Sequence, residues 1–479
     1  MIRDIEVFDE PELEFGAQIS HIDIRFGIMN YGPLDVGSES APNRIRIGAV
    51  GTPETVEGAV RWLETCRQEI PAKESNQPNL FPRFPGFATD QGFRSTLVIE
   101  PQLQRSVAGK VFDDLVKGND NNKIVDGAVR IIHDEFKVVV ESSKVDVLVC
   151  AVPPQLVALM DPDTRPRAAN PTAPVLNFHH LLKARCMDLR KPVQLILPGT
   201  FDPKQARKQK IKGVVRPLQD AATRAWNFHT ALYYKAGGRP WRLVRDVRKV
   251  STCFVGISFY KSLDGSAVLT SVAQVFDERG DGLVVRGGTA TWSKEDRTSH
   301  LSETDAYALL RDALQRYRQE HSTWPARVVV HKTSKYSPDE LKGMQRAQQE
   351  VGLEFMDCIS LSREASTRLL RQGRYPVLRG AFWSLDDNEH FLSTRGSVDF
   401  YQTYPGLYIP RPLVFRGAQL EQTPRVVAQE LLALTKMNWN DTQFDGADPI
   451  TITAARRVGD ILKYIGPDDP FEPRYSFYM

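Results

Sequence analysis

Cysteine is scarce in this chain. Cys66, Cys150, Cys186, Cys253 and Cys358 are scattered over 479 positions without a Cys-x-x-Cys pair, which argues against a zinc site or a disulfide framework and fits a reducing cytoplasm. Long hydrophobic runs are missing too. No stretch of eighteen apolar residues occurs, and no basic segment followed by an apolar one opens the chain, so neither membrane spanning nor export is expected. A surplus of one charge is also absent: 62 Lys and Arg face 59 Asp and Glu, and a net +3 does not by itself mark a nucleic-acid binder. Nor is there a complete nucleotide loop. Gly48 and Gly51 end a strand-like run, but the third glycine, the lysine of a phosphate loop and a ribose-binding acid are not in place. That turn therefore reads as structural.

What is present is a globular chain with 41% apolar residues, long enough for two or three domains. Over residues 1–140, the alternation at 22–26 predicts a strand before a turn at Asn30-Tyr31-Gly32-Pro33. Residues 44–52 predict a strand running into a helix over 54–66, residues 71–92 a long loop offering a docking surface, and residues 126–136 a helix. From 141 to 250 strands and helices alternate, beginning with the apolar run 145–152 that Pro153-Pro154 stops, which predicts a small Rossmann-like α/β domain. From 251 to 479 the pattern is strand, strand, strand, a helix over 303–318 capped by Ser302, and a strand over 327–332. That order is similar to the start of a ribonuclease-H-like fold.

Polar residues concentrate between 176 and 241. His179 and Lys183 are four apart and share a helix face. Gln194 lies inside the apolar run 193–197, where its amide needs a partner. Lys235 closes a helix ended by Gly237-Gly238. Two ammonium groups, an imidazole and an amide supply the charge and donors that a phosphate monoester requires. They read equally as two surface lysines, a capping histidine and a core glutamine. Between them Lys204, Arg207, Lys208, Lys210, Lys212 and Arg216 form a basic tract, either a solvated face or a track for a nucleic-acid backbone.

The order His179-x-x-x-Lys183, Gln194, then Lys235 before Gly237-Gly238-x-Pro240-Trp241 resembles the guide 5′-phosphate pocket of the MID domain of Argonaute proteins. The string LTKMNWN at 434–440, followed by PITIT at 449–453, resembles the closing segment of their PIWI domain. In that family the first pocket position is often Tyr or Arg, so His179 departs from the pattern. The resemblance covers residues 144–479, about 70% of the chain. It implies an N-terminal α/β region (1–140), a Rossmann-like MID domain (141–250) and a ribonuclease-H-like PIWI domain (251–479). The length leaves no room for the N-terminal and PAZ domains of a long Argonaute, so the resemblance is to the short prokaryotic form.

Active members of the family place an Asp after Gly-Ile on the first PIWI strand, where this chain has Ser258. They place another after a His-Arg pair, where Thr333 follows His331-Lys332, and a His or Asp near the end, where Ala455 and Arg456 stand. A hydroxyl does not replace an anionic ligand on a hard cation, so the resemblance implies a chain that does not cut. What it further implies is a small guide RNA bound by its 5′ end, complementary invading DNA as target, and a separate APAZ-containing partner with a sirtuin-like domain, favoured over TIR, that depletes NAD in prokaryotic immunity. In some relatives the C-terminal carboxylate, here Met479, shares Mg²⁺ with the guide phosphate. Two alternatives stand beside this: a guide-dependent nuclease using Asp277, Glu278, Asp281 or Glu295, and a module that interferes by binding alone.

Overall fold

The computed structural model describes residues 5–160, 174–205, 209–211, 214–216, 218–244, 250–276, 282–364, 366–401, 403–404, 406, 408–466 and 469–479. The chain starts on the edge strand β1 (Glu6–Val7), followed by helix α1 (Ile24–Tyr31). The strand expected over 22–26 is thus a helical start. Asp23 accepts a hydrogen bond from the Phe26 amide at 2.6 Å and caps the helix, and Gly32, at φ 76°, ends it. A cap contributes about 1 kcal/mol to the helix it starts.

The small sheet draws on β2 (Arg44–Gly51), β3 (Thr96–Val98), β4 (Val147–Ala151) and β5 (Val193–Ile196), all parallel in the order β3-β2-β4-β5. Its helices are α2 (Pro53–Thr65), α3 (Asn121–Ser142), α4 (Phe178–Arg185) and α5 (Ala221–Lys235). Both faces are covered, which is why β4 is apolar at every position. Gly51 serves packing: a Cβ there would lie 2.4 Å from the Ala151 carbonyl.

The small sheet takes strands from both sides of residue 140, so the stretch 1–140 does not stand apart from 141–250 as an extension. The stretch 71–92 is the long loop its sequence predicts, but part of it packs inward. Phe84 and Phe87 within it, and Phe93 just beyond, are buried. Phe84 meets Trp226 at 5.2 Å and Phe93 meets Tyr233 at 5.3 Å. These rings fill the face of α5 rather than waiting for a partner.

The large sheet is built on β6 (Thr252–Lys261), β7 (Val268–Phe276), β8 (Arg327–Lys332), β9 (Phe355–Ser362), β10 (Ala381–Ser384), β11 (His390–Leu392) and β12 (Leu413–Gln419). Its order is β1-β10-β11-β12-β9-β8-β6-β7, with short strands beyond. β6 runs antiparallel to β7 and parallel to β8, and β8 runs parallel to β9. Alternation along β6 and β8 sends Val255, Ile257, Val328 and Val330 to a core with α6 (Glu303–His321) and α7 (Pro338–Val351). Phe254 and Val329 face the other way, toward α8 (Pro424–Leu434) and α9 (Ile450–Leu462). A mixed sheet with helices on both faces and this strand order is ribonuclease-H-like, and the small unit is Rossmann-like. No helix among the described residues is long and apolar enough to cross a membrane.

The string 434–440 joins the two units. Trp241 donates its indole N–H to the Lys436 carbonyl at 3.0 Å, and Trp439 meets Tyr234 edge-on at 4.6 Å. The Lys436 ammonium donates to the carbonyls of Pro11 and Ile22, each at 2.6 Å, and pairs with Glu10 at 3.0 Å, which Arg379 also holds at 2.9 Å.

Candidate anion pocket

Three helices deliver cations to one place. Asn177 caps α4 by accepting from the His180 amide at 3.0 Å, and its own amide N–H donates to the Tyr464 hydroxyl at 3.0 Å, which fastens α4 to the end of α9. His179 and Lys183 then share one face of α4, as their spacing predicts. α5 ends on Lys235, with Gly237 at φ 95° turning the chain away. α9 supplies Arg457, and the segment ahead of it supplies Asn438 and Asp441.

Lys183 and Lys235 are each 4% exposed, whereas His179 is half-buried. The Lys183 ammonium donates to the backbone oxygen of Met479, itself buried. Lys235 Nζ has no hydrogen-bond acceptor among the described residues. Arg457 donates to the Asn438 side chain at 3.4 Å.

The electrostatics follow from that crowding. Burial, then the charges of Lys183, His180, Lys235 and Arg457, holds His179 well below the usual imidazole range. Burial, then Lys235 and Arg457, pushes Lys183 down. Burial, then Arg457, brings Lys235 down to about 7. Burial also raises Asp441, although the Gln443 amide, Arg457 and Asn438 work against it. The cluster is short of negative charge, and a buried ammonium without an acceptor costs a few kcal/mol. An anion with several oxygens would relieve both deficits.

Other expected residues stand differently. Gln194 lies half-buried on β5, in register with Val149, and no hydrogen bond joins it to Lys183, Lys235 or His179 among the described residues. In the basic tract, Lys204 is exposed, and its amide bonds to Asp202 at 3.0 Å. Lys210 and Arg216 lie on the paired strands Gln209–Ile211 and Val214–Arg216. Arg207, Lys208 and Lys212 lie outside the described residues.

Ser258 follows a bulge in β6 and is buried. Thr333 follows directly on β8, donating its amide N–H to the Ile257 carbonyl at 3.3 Å. Arg456 is on the exposed side of α9, bonded to Asp448 at 2.5 Å. Glu295 is exposed, and Asp277, Glu278 and Asp281 lie outside the described residues. Among the described residues no group of three His, Cys, Asp or Glu is placed to hold a metal ion. Arg457 was missed by reading the sequence. Its signal was a charge beside Ala454 and Ile461, both buried, on a helix whose positions are mostly apolar.

The fold is similar to that of solved Argonautes. The chain superposes on Clostridium butyricum Argonaute bound to a guide DNA and a 19-mer target DNA with TM-score 0.66 and 14% identity, over 98% of this chain and 54% of that one. For A. aeolicus Argonaute the TM-score is 0.59 at 12% identity, over 98% and 54%. For the same Argonaute with externally bound siRNA it is 0.60 at 12%, over 98% and 56%. This chain thus spans about half the length of the Argonautes it matches. At these identities the likeness is one of fold. No protein-family model and no curated protein matches the sequence.

Proposed function

We propose that the chain is a guide-loaded sensor that binds nucleic acid without cutting it. The pocket of Lys183, Lys235 and Arg457, with His179 beside Lys183, takes the 5′-phosphate of a small RNA. The guide's remaining bases pair with complementary invading DNA, and the basic tract from Lys204 to Arg216 adds sequence-independent affinity. The observation that carries this reading is the Lys235 ammonium, buried and, among the described residues, without an acceptor beside two further cations. A phosphate supplies the missing acceptors, and each charge-assisted bond contributes about 1.5–3 kcal/mol.

Mg²⁺ fits the pocket only together with the phosphate. Among the protein's own atoms the Met479 oxygen would be a ligand, with Lys183 already donating to it, and Asp441 is the carboxylate side chain of the cluster, beside Arg457. The ion would screen the phosphate charge, while Lys183 and Lys235 orient the phosphate oxygens.

Loss of cutting is supported by Ser258 and Thr333, hydroxyls at adjacent strand ends where two-metal cleavage needs carboxylates. A chain that binds without cutting acts through something else. By resemblance, that is an APAZ-containing protein with a sirtuin-like or TIR domain that consumes NAD in the prokaryotic cytoplasm.

The test is Lys183→Ala with Lys235→Ala, assayed on guide RNA carrying a 5′-phosphate or a 5′-hydroxyl. Binding of the phosphorylated guide should fall at least 100-fold, from two bonds of about 1.5 kcal/mol or more each, with the hydroxyl guide nearly unaffected. Equal losses for both guides would reject the pocket.

A further inference from the structure

Arg456 stands where the family resemblance expects a lost catalytic ligand, yet its surroundings are those of a held guanidinium. In β6, β8 and β9, Ile257 is in register with Lys332 and Lys332 with Ser360. The carboxyl ends of the three parallel strands therefore lie together, bringing Ser258, Thr333 and, just past β9, Arg363 to one end of the sheet. Ligands of open α/β sheets bind at that end.

The start of α9 closes on the same place. Thr451 shares a hydrogen bond with His331 Nδ1 at 2.9 Å, and Gly256 leaves no space for a Cβ against the Thr451 carbonyl, 2.2 Å away. Asp448, just ahead of α9, accepts from Arg363 Nε at 2.6 Å and from Arg456 Nη1 at 2.5 Å. The rest of the Arg363 guanidinium is used internally, on the Arg411 carbonyl at 3.1 Å and the Thr394 hydroxyl at 2.9 Å. Arg456 differs: among the described residues it is held through Nη1, and 51% of its side chain is exposed.

Arg456 is thus anchored through one guanidinium nitrogen while about half of its side chain is exposed, and two guanidinium charges share the Asp448 carboxylate. An ordinary surface ion pair contributes about 0–1 kcal/mol and needs no such backing. A guanidinium oriented by a second layer of bonds is suited to bidentate contact with phosphate.

We propose that this end of the sheet is a metal-free phosphate site. Arg456, oriented by Asp448 and Arg363, grips a backbone phosphate of the DNA strand paired to the guide, the strand that carboxylates at positions 258 and 333 would cut. The site holds the target in place of cutting it. The inference rests on the guide-binding reading and adds to it a second contact, with the target.

The experiment uses the full chain loaded with 5′-phosphorylated guide RNA, and measures affinity for complementary DNA across a salt series for wild type, Arg456→Gln, Arg456→Lys and Asp448→Asn. Arg456→Gln should weaken target binding about tenfold and lower the slope of log affinity against log salt by about one phosphate contact. Matched and mismatched targets should lose alike, and guide binding should not change. Arg456→Lys should restore the salt slope but only part of the affinity, since it keeps the charge without the fork, and Asp448→Asn should fall between.

Unchanged target affinity and slope in Arg456→Gln would reduce the arrangement to a surface ion pair and overturn the proposal. So would a loss confined to guide binding. Should wild type prove indifferent to the guide 5′-phosphate, the pocket reading fails separately. The same variants are then compared on unguided single-stranded DNA, where an unchanged slope again overturns the site.

Discussion

At the scale of one residue, Lys235 carries a stability cost that the proposed guide-binding role would explain. Its ammonium is buried without an acceptor among the described residues, and burial first, Arg457 second, brings it down to about 7, against about 10.4 in an unfolded chain. Between those values the unfolded chain holds a proton that the folded chain has lost. Stability of the ligand-free protein should therefore rise with pH across that window, and this contribution is lost below about 7. Lys235→Met keeps the length and removes the charge. The ligand-free variant should be about 1–4 kcal/mol more stable than wild type at pH 7 by urea unfolding, and should bind 5′-phosphorylated guide much more weakly. A variant that is both less stable and unchanged in binding would place Lys235 in the packing alone. That His179 and Lys183 share a helix face and that Lys235 closes its helix was legible because those elements are regular. Arg457 was not, because its role depends on α9 packing against α4, a contact between segments more than 250 residues apart.

At the scale of elements, α5 joins the pocket to the core through His229. Its Nδ1 bonds to the Ala225 carbonyl at 2.8 Å, and its Nε2 is buried without a partner among the described residues. Phe87 lies 5.0 Å away, Phe84 5.1 Å, Phe228 5.3 Å and Trp62 5.7 Å. Burial pushes this imidazole down to about 4, with the Ala225 carbonyl opposing. As pH falls below about 6.5 the unfolded chain takes a proton that the folded chain refuses until about 4. The stabilisation is thus complete above about 6.5, and up to about 3 kcal/mol is lost on the way to pH 4. Denaturant midpoints at pH 7.5 and pH 5 should converge in His229→Leu relative to wild type. The same acid loss in both would assign the sensitivity elsewhere. The helix was readable from its period and its Gly-Gly end. That Phe84 and Phe87 would fill its face was not, since an irregular loop has no period to say which way its rings point.

Over the whole molecule, the N-terminal segment is tied to the large unit by charge. Burial works to raise the Glu10 carboxyl, but Arg379 and Lys436 outweigh it and hold it below its usual range. Glu10→Ala would leave both cations buried without their counter-ion, a loss of about 3–5 kcal/mol that a thermal melt would register. The proposed absence of cutting and the proposed activation of a partner are tested at this scale. The purified, guide-loaded chain should leave target DNA intact in Mg²⁺ or Mn²⁺. With its partner, NAD should disappear only when guide and target are both present, because a duplex switches the partner only by binding the active arrangement more tightly than the resting one. NAD loss without target, or DNA cleavage by the chain alone, would contradict the sensor.

The sequence by itself determined the elements whose signal is local. The strands at 44–51, 147–151, 252–261 and 327–332, the helices at 303–321 and 221–235 and the shared face of His179 and Lys183 follow from side-chain period and caps, which act over a few residues. Tertiary structure decided what depends on distant segments meeting. It placed β2 and β3 in one sheet with β4 and β5 across residue 140, and it turned 22–26 into the start of a capped helix. It also brought Arg457 and Met479 to Lys183 and set Asp448 between Arg363 and Arg456. The physical reason is the same in each case. A buried charge or a strand edge is satisfied by whichever partner the packed chain brings near, and that partner leaves no mark on its neighbours in sequence.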